Sequence, residues 1–229
     1  MLLSAVWVIT IDMNKYIRPL LLLCFCLAIT NCSSAYYGAM EKLGYHKRDI
    51  LATRVKEARN SQQDAKEQFK TALQRFSEVV KINGGELEKR YNSLNTEFLK
   101  SEEKAQKVSD RIDAVEDVGE ALFKEWKKEL KQYTSDSLRN ASEQKYEATQ
   151  EQFDSLIETM KRAEEKIEPV LAAFRDQVLF LKHNLNARAI ASLQTEVVDI
   201  QTNVAELIRE MDTSINEATR FIDSLEKDA

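Results

Sequence analysis

Proline occurs twice and glycine five times in 229 residues. A fold of many short strands needs turn residues far more often, so their scarcity points to long, uninterrupted helices. Histidine also occurs only twice, and Leu43 and Phe180 stand three residues before His46 and His183. The Glu-x-x-His pairs of a di-iron helical bundle are therefore missing. Cysteine is confined to Cys24, Cys26 and Cys32, so a chain cut within this region would keep no free thiol in its body, which suits an oxidising compartment. Basic excess is absent too: 33 Lys and Arg against 38 Asp and Glu leave a net charge of −5, which is not the footprint of a nucleic-acid binder. The glycine pair at 84 and 85 is not followed by Lys-Ser or Lys-Thr, and no serine sits in Gly-x-Ser-x-Gly. No catalytic residue, cofactor or metal site is expected, and the chain is read as a non-enzyme.

What is present begins with a leader. Residues 20–30 form an apolar run preceded by Lys15 and Arg18, the positive and apolar regions of a secretory signal peptide. The run is too short for a bilayer span, which takes roughly 20 apolar residues. Met13 is read as the true start. The leader closes on "LAITNC", which resembles a bacterial lipobox except that Asn31 replaces the usual Gly or Ala. This assigns residues 1–31 to a signal peptide, Cys32 to lipidation and 32–46 to a lipidated tether. Several acyl chains on Cys32 would attach the protein to the bilayer almost permanently. Ser33 beside the lipid points to an outer-membrane lipoprotein facing the periplasm. The alternatives are secretory cleavage after Ala35, giving a soluble periplasmic protein, and an uncleaved anchor. In the tether, Tyr36, Tyr37, Met40, Leu43 and Tyr45 read either as an interfacial aromatic anchor or as packing on the end of the following domain.

From residue 47 onward the apolar positions follow a heptad. The first seam runs Leu51, Val55, Ala58, Gln62, Ala65, Phe69, Ala72, Phe76 and Val79, and the glycine pair then stops it. The second runs from Leu87 through Leu94, Phe98, Ser101, Ala105, Val108, Ile112, Val115, Gly119, Leu122 and Trp126 to Tyr133; "TSDSLRNAS" follows as a turn, with Ser142 as the next cap. The third runs from Tyr146 through Phe153, Met160 and Val170 to Leu181, with Pro169 predicting a kink near Lys166 rather than a reversal. The fourth runs from Ile190 to Leu225, after a phase slip in "HNLNAR" that is the candidate for the last reversal; no glycine or proline marks it, and the alternative is one continuous bent helix. The fold class is all-α: an elongated antiparallel bundle or coiled coil of four long helices over 47–229, about 47–82, 86–133, 142–183 and 187–227. Residues 47–82 carry nine basic and five acidic side chains, and 187–229 four basic and nine acidic. Opposite fields favour the first and last helices as neighbours.

Two features stand outside this frame. "FKEWKKELKQY" sets Lys124, Lys127, Lys128 and Lys131 around Trp126, which is either a core knob with lysines in water or a basic amphipathic contact with a membrane or partner. Leu179 and Phe180 fall beside the third seam, and read either as buried where the bundle is widest or as an interaction patch. Leu179, Phe180 and Trp126 are thus the candidate interaction residues. The stretches "YYGAMEKLGYHKRDIL", "AKEQFKTAL" and "FLKHNLNARAIASL" resemble a family of Gram-negative proteins known only as domain of unknown function 2959. The resemblance implies an envelope lipoprotein of helical fold and brings no catalytic residue. The function expected is a non-catalytic, lipid-anchored periplasmic scaffold, spacer or regulator that binds an envelope protein or itself, reaches the membrane through Cys32 and binds no nucleic acid. The alternative is a membrane-active or lipid-handling bundle that opens its apolar seams.

Overall fold

A computed structural model describes residues 46–81, 87–184 and 187–227. Cys32, the leader and the tether aromatics lie outside the described residues. The chain divides into two units, Met1–Lys47 and Arg48–Ala229, and the helical bundle belongs to the second. The helices are α1 (Lys47–Lys81), α2 (Leu87–Glu129), α3 (Asp136–Glu165), α4 (Ile167–His183) and α5 (Ala187–Lys227). A single 3-10 turn, Leu130–Gln132, closes α2.

Ion pairs on every seam define the topology. Asp64 meets Lys104 at 3.0 Å and Glu57 meets Arg111 at 2.7 Å, so α2 runs antiparallel to α1. Lys161 meets Glu116 at 2.6 Å and Arg175 meets Glu102 at 3.4 Å, so α3 and α4 both run antiparallel to α2, in line with each other. Lys166 pairs with Glu206 at 3.2 Å across to α5, and Lys66 of α1 pairs with Asp212 of α5 at 2.6 Å. The chain is all-α, an up-down-up-down bundle in which the first and last helices are neighbours. Each exposed pair is worth about 0–1 kcal/mol, so they register the helices more than they hold them.

The stabilising term is the seam. All nine first-seam positions from Leu51 to Val79 are buried, and so is every fourth-seam position from Ile200 to Leu225. The side chain of Ile190 lies outside those described. Within this apolar column Gln62 and Ser214 form one polar layer: both are 0% exposed, and Ser214 Oγ donates to Gln62 Oε1 at 2.9 Å. Gln62 Nε2 has no partner among the described residues.

The second seam departs from its heptad after Gly119. Val118 and Phe123 are buried, Leu122 and Trp126 are half-buried, and Tyr133 is exposed, with Leu130 taking the core position instead. An aromatic ladder explains the rotation. Phe123 packs on Tyr146 and Phe153 with centroids 5.7 and 5.3 Å apart, and Phe153 reaches Phe221 at 6.1 Å. Gly119 makes room for it, since a Cβ there would lie under 3.0 Å from Phe153 ring atoms.

The third helix starts at Asp136, six residues before the start expected from Ser142. Ser135 is its N-cap, with Oγ accepting from Leu138 N at 3.4 Å, while Ser142 lies inside the helix. Between α3 and α4 only Lys166 leaves the helix, with φ −79° and ψ −10°. Pro169 has no N–H for the carbonyl four residues back, which is where the helix breaks step. Asn184 ends α4, its backbone N–H bonding Leu181 O at 3.2 Å. Among the described residues no helix is long and apolar enough to cross a membrane.

Candidate interaction surfaces

The three candidate residues fall on two separate surfaces. Leu179 and Phe180 lie in the last turn and a half of α4, 48% and 38% exposed. A third residue joins them. Leu99 of α2 is 53% exposed and sits one turn before Glu102 in the chain, while Leu179 sits one turn after Arg175. Since Glu102 and Arg175 pair across antiparallel helices, both leucines are displaced from that pair toward the same end of the bundle. Leu99 was legible by the rule that singled out Leu179, as a large apolar residue one step off its seam.

Polar contacts fix the backbone under this patch. Arg175 lies over the Phe98 ring at 5.8 Å, and Glu97 accepts from Gln68 Nε2 at 2.8 Å and Lys100 Nζ at 3.0 Å. Partial burial works against the charged form of Glu97, but the hydrogen bonds from Gln68 and Lys100 outweigh it and hold the carboxyl below its ordinary range. On the α2–α3 seam the Glu116 carboxylate, by its hydrogen bond, raises the Lys161 ammonium above its ordinary range.

Trp126 stands at the other end, 27 residues along α2 from Leu99 and hence about 40 Å away. Its Nε1 donates to Ser142 Oγ at 2.9 Å, and its ring meets Tyr146 edge-on at 5.7 Å. A cavity of about 450 Å³ lies beside it, lined among others by Arg48, Leu122, Glu125, Glu129 and Leu225. At this end the first turn of α1, the last turns of α2 and α5 and the start of α3 meet, and Arg48 donates to Leu225 O. Lys124, Lys127, Lys128 and Lys131 are all exposed there. Trp126 is thus neither a full core knob nor a free surface residue. Among the described residues no group of His, Cys, Asp and Glu is placed to hold a metal ion.

A family profile described as "Protein of unknown function (DUF2959)" matches residues 36–225. The chain belongs to this family. The DUF2959 region takes in both surfaces and every described helix almost to its end. No curated protein matches the chain.

Proposed function

We propose that this DUF2959 protein is a lipid-anchored component of the cell envelope whose helical bundle acts by binding, as a scaffold, spacer or regulator of another envelope protein or of a second copy. The observation that carries the reading is the contrast between a seam filled with side chains and the apolar group Leu99, Leu179 and Phe180 left in water. Large apolar residues clustered at one end of a well-packed bundle are surface a partner can bury. The leader ending at Cys32 supports the envelope address and the outer membrane, with the bundle in the periplasm.

The test is Leu179→Ser with Phe180→Ser in the full chain. Both side chains are exposed, so helicity by circular dichroism should stay unchanged. Sedimentation of the detergent-extracted protein, and recovery of its cross-linked partner, should both fall. Unchanged association by both measures overturns the reading. Release of vesicle contents by the wild-type protein would favour the lipid-handling alternative instead.

A further inference from the structure

The end of the bundle that carries Trp126 is chemically unlike the rest of the surface. Lys127 and Lys128 follow Lys124 by three and four residues, which places the three on one ridge of α2, and Lys131 continues it in the 3-10 turn that closes the helix. None of the four makes an ion pair with a described residue, whereas lysines 66, 100, 104, 161 and 166 all do. Their intervening acids are sorted away from them, since Glu125 and Glu129 line the cavity beside Trp126. The helix macrodipole accounts for cations in the last turn of α2, at Lys127 and Lys128, but not for Lys124 a turn earlier or Lys131 beyond the helix end. Just past the ridge, Tyr133 is 39% and Leu138 60% exposed, at the hairpin between α2 and α3. A basic ridge flanked by an exposed Tyr and Leu is the chemistry that meets anionic headgroups, with the apolar tips at the acyl boundary.

We propose that this α2–α3 tip docks on an anionic lipid surface, through headgroup contacts from Lys124, Lys127, Lys128 and Lys131 and shallow insertion of Tyr133 and Leu138. The proposal rests on the anchored reading above, which supplies the occupant. Cys32 precedes Lys47 by fifteen residues, a span of at most about 50 Å. The end where α1 begins is therefore held within reach of the bilayer, and it is the same end that bears the lysine ridge. The tip meets lipid as an intramolecular event, so modest affinity suffices.

The test uses the full protein extracted from its membrane and reconstituted into vesicles of phosphatidylcholine, with or without about one third phosphatidylglycerol. A fluorophore is placed on Leu138→Cys, or on Leu179→Cys at the far end, and quenched by a spin-labelled lipid. Cys24 and Cys26 fall in the leader and Cys32 is acylated in this reading, so the introduced thiol is the single reactive one. The Leu138 probe should be quenched on anionic vesicles and released by about 1 M salt, where screening acts over roughly 3 Å. Changing the four lysines to Gln should abolish the effect, corresponding to a loss of about a hundredfold or more in local binding. The Leu179 probe should not respond. Flotation without quenching at Leu138, or equal quenching on neutral vesicles or in the Gln variant, overturns the tip proposal and leaves the anchor standing. Failure of the wild type to float with neutral vesicles overturns the anchor instead; failure on anionic vesicles as well overturns both.

Discussion

Replacing Gln62 with Leu and Ser214 with Ala together should stabilise the protein. The pair is fully buried and shares one hydrogen bond of 2.9 Å, worth about 0.5–1.5 kcal/mol net, while Gln62 Nε2 has no partner among the described residues. Leaving a buried donor unmade costs about 1–3 kcal/mol. The double variant loses the smaller term and removes the larger, and Leu matches the volume of Gln closely enough to avoid a cavity. A gain of about 1–2 kcal/mol follows, or about 2–8 °C in Tm for a domain of this size. Ser214→Ala alone should move the other way by about 1–3 kcal/mol, because both ends of the Gln62 amide are then unpaired. Urea unfolding followed by circular dichroism reads both, as shifts in midpoint at constant m. A double variant less stable than wild type at unchanged m refutes the reasoning, because the layer would then be a net source of stability.

Two further outcomes follow from packing and charge. Gly119→Ala gains about 1 kcal/mol of helix propensity but forces a methyl into the Phe153 ring, which Phe123 and Phe221 hold in place. The overlap costs about 1–3 kcal/mol, so thermal unfolding should show a net loss that the added change Phe153→Leu relieves. Glu97 has its carboxyl held below the ordinary value of 4.5, so its contribution is present above that pH and fades as pH falls through the lower folded value. Urea titrations at pH 7 and pH 3 should therefore show a smaller acid-induced loss in Glu97→Gln than in wild type.

The seams were legible because burial repeats with the helix. On α1 the heptad selected nine positions and all are buried, including Gln62, which hydrophobicity alone would have excluded. The reversal before α5 was legible as a phase slip, and the break at Lys166 through Pro169, since each leaves a local trace. The last third of α2 was not. Whether Leu122 or Phe123 faces inward depends on the aromatic ladder from α3 and α5, and a single helix's periodicity cannot encode which neighbour pulls harder. The start of α3 failed for a different reason. Ser135 and Ser142 are equal capping candidates by type, and a tertiary contact, Trp126 to Ser142, distinguishes them. Of the candidate surfaces, Leu179 and Phe180 were legible as off-seam apolar residues; Leu99 is off its seam in the same way, and only the Glu102–Arg175 register across two helices places it toward the same end of the bundle.

The two surfaces lie about 40 Å apart along α2, on opposite ends of one packed seam. A protein that meets lipid with the α2–α3 tip and a partner with Leu99, Leu179 and Phe180 would act as a spacer, holding its partner site several nanometres from the bilayer. That arrangement has a measurable signature. Sites so far apart, sharing no neighbours, respond additively to substitution unless a two-state element joins them. The four Lys→Gln changes should therefore leave partner recovery unchanged, and Leu179→Ser with Phe180→Ser should leave quenching of the Leu138 probe unchanged. Coupling between the two sets would refute the rigid spacer. It would direct attention to Lys166, where the third and fourth helices meet at a single non-helical residue and a change of bend could carry one end's state to the other.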